Sequence, residues 1–405
     1  MRTQTVKNKH HKLSLIAGAL LTGALTPTFA VAADDIASAV SDSTANVMLR
    51  YRLETVDQDG KTEDAMASTL KTRLTWTSAP LHGVSALVEV DNVSYIGADQ
   101  FNSTNNGKTD YPVVADPKGT DINQAAIKFT GEALTLVGGR QRINLDNQRF
   151  VGGVGWRQNE QTYDGARVTY NATEKLTLDY SLVFNVNRIF GPDDGAQPAD
   201  WHGTFHFANG NYKINDNHKV TAFAYLIDND DAAATSTDTY GLDYVGSFGP
   251  VTASVSYANQ VDAGDNPNEF SANYFKAELA GNVGPVKVLG GLEVLGSDNG
   301  VGFSTPLATL HKFQGFADKF LGTPGNGIED LYVSAITSLG GVKLIATYHD
   351  FSSDKNSISY GSEIDLVAAY KVNNNADLLV KFASYDADEL ATDTSKFWAM
   401  ATVKF

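Results

Sequence analysis

Residues 396–405, KFWAMATVKF, restrict the fold of this chain more than any other stretch. Phe397, Ala399, Ala401, Val403 and Phe405 share one face of a strand, and Lys396, Trp398, Met400, Thr402 and Lys404 share the other, because strand side chains alternate with period two. An apolar face ending on an aromatic suits a closing strand with lipid on its outside and water on its inside. A soluble protein gains little from such an end.

The same alternation runs through the chain. Val47, Leu49, Tyr51 and Leu53 oppose Met48, Arg50, Arg52 and Glu54; Leu70, Thr72, Leu74 and Trp76 oppose Lys71, Arg73 and Thr75. Val84, Ala86, Val88 and Val90 oppose Glu89 and Asp91, and residues 176–186 repeat the pattern with Asp179 on the polar face. With shorter patterns included, the spacing predicts eighteen strands. Their connections alternate in length. Short turns such as 79–83, 130–133 and 171–175 separate long, acidic, Gly- and Asn-rich loops such as 95–120, 144–161, 188–202 and 297–328. Short turns on one side and long loops on the other mark an outer-membrane barrel. The expected fold is therefore all-β, a transmembrane antiparallel β-barrel of about eighteen strands, with residues 33–405 as one domain. An even strand number puts both termini on the short-turn side. A secreted β-sandwich would also alternate, but not with this loop pattern, and the 40- to 50-residue repeats of a propeller are missing.

Residues 1–32 read as a secretory signal peptide. Arg2, Lys7, Lys9 and Lys12 form a basic start, residues 13–25 an apolar run, and Ala30-Val31-Ala32 a cleavage signal. The mature chain is thus expected in the bacterial outer membrane, with lipid and the barrel-assembly machinery, engaged through the strand ending at Phe405, as partners. Removing four basic and no acidic residues takes the formal charge from −16 to −20, which argues against nucleic acid as a partner. With 0 cysteines, a disulfide framework, a thiol nucleophile and a Cys-ligated metal are excluded.

Eighteen strands enclose an aqueous channel, so function is expected on the inward face and in loops that enter it. The mature chain has nine arginines, and none follows Arg188. Arg50, Arg52 and Arg73 share the inward parity with Lys71, and Arg140, Arg142 and Arg167 add to the same wall. Two uses are open. The guanidinium forks suit carboxylate, phosphate or sulfate and would concentrate anionic or carbohydrate solutes in a narrow pore. Alternatively, they pair with Glu54, Glu89, Asp91 and Asp179 and neutralise the lumen. The two combine as a transverse field between opposed walls.

Two loops bear on the pore. Residues 144–161 (NLDNQRFVGGVGWRQNEQ) carry Arg149, Trp156 and Arg157. They either stay outside or reach inward, with Trp156 as a stacking surface for a sugar. Residues 297–328 space Leu307, Leu310, Phe313, Phe316, Phe320 and Leu321 by about three and four, which predicts a helix-like plug or a segment packed on the wall. Enzyme signals are absent: there is no G-x-S-x-G or P-loop, and His202 and His206, four apart on a strand, stand about 13 Å from each other. Neither a catalytic residue nor a cofactor is expected.

Gly139-Arg140-Gln141-Arg142-Ile143, Gly155-Trp156-Arg157-Gln158-Asn159 and Thr162-Tyr163-Asp164-Gly165 together resemble the alginate-export family of outer-membrane porins. Residues 185–191 (NVNRIFG) and 305–330 look like further segments of that family. The resemblance implies an eighteen-stranded barrel whose arginine-lined constriction passes an anionic uronate polymer, with Arg140, Arg142 and Arg157 at the matching positions. The absence of arginine beyond Arg188 departs from a fully basic ring and leaves export, oligosaccharide uptake and broader anion permeability open. A general, weakly selective porin and a barrel adhesin or structural protein with a plugged lumen are the alternatives.

Overall fold

The computed structural model describes residues 33–405; the signal-peptide reading of residues 1–32 lies outside them. Eighteen strands form one antiparallel sheet that closes on itself. The first seven are β1 (Thr44–Gln58), β2 (Ala65–Thr77), β3 (Val84–Gln100), β4 (Gly119–Thr130), β5 (Leu134–Gln141), β6 (Thr162–Asn171) and β7 (Leu176–Asn187). Closure is direct: β1 pairs with β2 on one side and with the last strand, Thr394–Lys404, on the other. Arg50 lies opposite Lys71 in the first register and opposite Thr402 in the second. Every strand therefore has two partners, as a sheet in hydrocarbon requires, where an unpaired backbone edge is costly.

The alternation in sequence becomes a division between lipid and lumen. Leu74, Val88, Leu178, Leu242, Leu331 and Val380 are exposed on the outer face. Arg52, Glu54, Lys71, Asp91 and Trp398 are buried on the inner one. All eighteen predicted strands are present, and most run further than their apolar patterns. The strand Asp200–Asn215 is the clearest case, since its patterned core at 203–207 continues through Asn209, Asn211 and Lys213. Its outward positions there include Ala208 and Gly210, which are too small to register as an apolar face. The two-residue turn after it and the loops at 263–270 and 388–393 also lack a strong sequence signal. The lead into the barrel holds a short helix, Ile36–Ser41, capped by Asp35 and packed by Ala39 on Ala79.

The core lies inside the barrel. The connections 142–161 and 296–327 fold into the lumen, where Ile143, Leu145, Val151, Phe303, Leu307 and Phe320 join wall residues Phe205, Phe207, Tyr274 and Tyr360 in one buried cluster. The helix expected within 297–328 is reduced to one 3-10 turn, Leu310–Lys312. Gln314, Gly315 and Asp318 have positive φ, and Pro306 and Pro324 bracket the stretch, so the backbone turns too often to propagate a helix. Its apolar residues each meet a different partner: Leu307 bridges to Val151, and Phe320 packs on Phe351 at 4.7 Å between centroids.

Candidate functional site: a charged lumen wall with loops latched to it

The site begins at β1. Arg50 is turned inward by the strand phase and meets the loop 142–161, donating Nε to Gln158 Oε1 at 3.0 Å and Nη1 to the Gly155 carbonyl at 2.9 Å. It also donates to the Arg157 carbonyl. Two acceptors are backbone carbonyls and one is a side-chain amide oxygen, so Arg50 clamps the loop without a carboxylate. Arg52, two residues on, donates to Asp116 Oδ2 at 3.0 Å and to the Trp156 carbonyl. Asp116 in turn accepts from the Gln158 amide at 2.8 Å, and Gln158 donates to Thr69 Oγ1 at 2.8 Å. The loop is therefore fixed to β1 and β2 by hydrogen bonds buried from water, where they are strongest.

A second tier lies across β2 and β3. Lys71 sits 2.8 Å from Asp91 and 3.5 Å from Glu160. Arg73 grips Asp91 with two bonds of 2.7 Å and reaches Glu160 at 2.9 Å. Arg142 adds bonds to Glu89 at 2.9 Å and to Glu160 at 2.6 Å. Glu160 thus receives three cations. Burial alone would raise its pKa, but Arg142, Arg73 and Lys71 pull it well below the ordinary carboxylate range. Arg157 returns to β1, donating to Glu54 at 3.0 Å and to Asp318 of the second inward loop at 3.3 Å. Burial opposes its charge, yet Glu54, Asp116 and Asp318 raise its pKa.

Not every candidate joins this network. Arg140 makes a two-bonded pair with Asp164 at 2.8 and 3.0 Å, and Arg167 pairs with Asp179 at 2.9 Å. Gly139, before Arg140, has φ +115°, and a Cβ there would overlap the Ala125 carbonyl, which accounts for the glycine in GRQR. Trp156, expected as a surface for a sugar, is engaged by the protein. Its ring stacks on His311 with centroids 4.5 Å apart, and Arg52 and Lys381 lie over it at 4.3 and 4.1 Å. Of the two uses open to the arginines, the geometry displays the pairing: Glu54, Glu89, Asp91 and Asp179 each hold an arginine.

Sequence reasoning missed Asp116, Glu160, Asp318, His311 and Lys381. The first four lie in loops, where periodicity assigns no face. His311 completes the second latch, with Nδ1 2.7 Å from Asp318 and Nε2 2.8 Å from the Lys381 ammonium. Since the Asp318 carboxylate can only accept, the proton of a neutral ring sits on Nδ1, and Nε2 accepts from Lys381. Burial lowers the pKa of His311 well below its ordinary value, with Asp318 opposing and Lys381 reinforcing. Lys396 closes the group at 2.8 Å from Asp318.

The family model described as Alginate export matches residues 48–276, more than half of the chain. The chain belongs to the alginate-export family. This alginate-export protein is an outer-membrane porin, and its matched region contains the whole Arg50–Arg188 wall and the GRQR and WRQN segments. The second inward loop lies beyond it. No curated protein sequence matches significantly. Among solved structures it is similar to Pseudomonas aeruginosa OpdK with vanillate, at 15% identity and TM-score 0.70, covering 90% of this chain and 99% of that one. Pseudomonas aeruginosa OccK8 (OprE) gives 15% and 0.69, covering 90% and 98%. Acinetobacter baumannii OccAB4 gives 12% and 0.68, with the same coverage of 90% and 98%. At these identities the likeness is one of fold: a closed eighteen-stranded outer-membrane barrel.

Proposed function

We propose that this porin passes anionic or sugar-like solutes, uronate oligo- or polysaccharides among them, by diffusion past an arginine-bearing wall. One observation carries the reading. In the pairs Arg140–Asp164, Arg142–Glu89 and Arg167–Asp179 the arginine is 26%, 27% and 24% exposed, against 19%, 6% and 8% for its carboxylate. An incoming solute meets the guanidinium edge first, and that edge suits carboxylates. Arg50, Arg52, Lys71, Arg73 and Arg157 are more deeply buried and serve to hold the loop that narrows the passage. Glu89, Asp91 and Asp179 set how much positive charge remains. The protein acts as a channel without catalysis or cofactor, and its closing strand ending at Phe405 is the element offered to the assembly machinery.

The test is planar-bilayer conductance of the refolded mature protein in a salt gradient, with and without oligouronate. An anion-preferring current blocked by the sugar supports the reading. A current that ignores the sugar supports a general, weakly selective porin, the second reading, which the paired Glu54, Glu89, Asp91 and Asp179 favour. Absence of current overturns both.

A further inference from the structure

Seven of the nine arginines are neutralised by carboxylates, Arg50 and Arg188 being the exceptions, which leaves the question of where the lumen carries further positive charge without a partner. The answer lies at the opposite end of the barrel from the long loops. In the three residues of each barrel strand nearest the short-turn rim there are seven lysines and one carboxylate, Asp377, which stands opposite Lys371 in the register. Lys213 and Lys219 face each other across adjacent strands. Lys128, Lys287, Lys343 and Lys404 occupy the same level elsewhere on the rim.

All seven point inward by register. Lys213 is in phase with buried Asn209, Lys219 with Thr221, Lys287 with Glu293, and Lys343 with His349. Lys371 is in phase with Asp365, Lys404 with Trp398, and Lys128 with Gln124. The neighbouring residues confirm the phase from outside: Tyr212, Tyr370 and Phe405 are exposed on the lipid side, as an interfacial aromatic girdle should be. Among the described residues none of these lysines forms an ion pair, whereas Lys71, Lys276 and Lys396 higher in the lumen all do. Their strand neighbours at the rim are Ser, Thr and Asn, including Ser85, Thr135, Thr252 and Asn282, while Glu132, Glu174 and Asp216 at this end sit in the turns outside the strands.

We infer that this lysine collar at the short-turn mouth adds to anion selectivity ahead of the arginine wall, capturing carboxylate-bearing solutes, polyuronate segments in particular, from the periplasmic side. The inference rests on the porin reading above and adds where and from which side the anion is recognised. A ring of unpaired ammonium groups around a low-dielectric opening raises the local anion concentration and the capture rate. Each flexible lysine holds its charge without fixed geometry, as suits a polymer sliding past. Short turns face the periplasm in this class of barrel, so the collar stands at the entrance for an outgoing solute.

The experiment compares the wild-type barrel with a Lys213→Gln/Lys219→Gln/Lys343→Gln/Lys371→Gln variant. Both are first verified as folded by heat-modifiable migration, which these half-exposed rim residues should not disturb. Blocking events from oligogalacturonate are counted with the sugar added to either side of an oriented bilayer. The variant should lose about tenfold in capture rate from the short-turn side alone, and its reversal potential should move toward cations. An unchanged capture rate, or equal loss from both sides, overturns the collar while leaving the porin reading intact. If the wild type passes no current, the porin reading fails and the collar is judged by anisotropy of labelled oligogalacturonate on the detergent-folded protein. There, binding about tenfold weaker in the variant upholds the collar, and equal binding overturns it.

Discussion

Arg149 of the first inward loop donates Nε to Glu293 of the barrel wall at 2.8 Å, joining residues 144 positions apart. Both side chains are buried, and Glu293 also accepts from Tyr274 at 2.7 Å. Arg149 further bonds Thr305 at 2.9 Å and Gln314 at 3.1 Å, so one guanidinium ties two inward loops to one strand. The lumen is thereby organised by a few long-range contacts and not by the loops' own structure.

Replacing Arg149 with Met should release the loop without opening the barrel. Removing one partner of a buried pair costs about 3–5 kcal/mol, here charged to a local opening. Trypsin cleavage after Arg157 should then speed up about a hundredfold or more, while unheated protein still migrates as a folded barrel. A loop as protected as in wild type would show that the pair does not hold it.

An Arg52→Gln/Arg157→Gln variant should leave Glu54 and Asp116 without their main cations. The expected result has two parts: reversal potential shifted toward cations, and larger single-channel conductance as residues 142–161 detach. A shift in selectivity at constant conductance would separate the field of these arginines from their anchoring of the loop.

The His311 latch should weaken in acid. The folded-state pKa of His311 is depressed by burial, so the detached loop binds the proton more readily than the latched one. The contribution is complete above the ordinary imidazole value of about 6.5 and is lost as pH falls from there toward the folded value. Protonation also removes the acceptor for Lys381 and places two cations within a hydrogen-bond distance. Channel noise and conductance should rise between pH 7 and 5 (roughly the range in which histidine charges), and His311→Asn should abolish that dependence. Asp318 does not contribute there, because burial is outweighed by His311 and Lys396 and its pKa stays well below the usual value.

Replacing Phe405 tests assembly separately from stability. Its amide donates to the Val47 carbonyl at 2.9 Å and its carbonyl accepts from Val47 at 3.1 Å, while its ring is exposed. Phe405→Ala should therefore change lipid-refolded stability little, since closure is made by backbone. Delivery of folded barrel to the outer membrane should fall severalfold if the terminal aromatic is read by the assembly machinery. Equal levels of wild-type and variant barrel in isolated membranes would reject that role.

What the sequence determined by itself was the wall. Period-two alternation fixes which side of a strand meets lipid, and turn lengths fix which end is which, so strand number, phase and the inward aim of Arg50, Arg52, Lys71, Arg73, Glu89 and Asp91 were all legible. What only the tertiary structure decided was the filling. Residues 142–161 and 296–327 carry no period, and their partners lie far off in sequence: Gln158 to Arg50, Arg149 to Glu293, His311 to Lys381. No local propensity encodes such contacts; they form because buried charged and polar groups must find hydrogen-bonding partners once the barrel has enclosed them. The lysine collar belongs to both levels. Each lysine is visible in the sequence, but that seven share one rim follows from the eighteen registers that bring those strand ends to the same height.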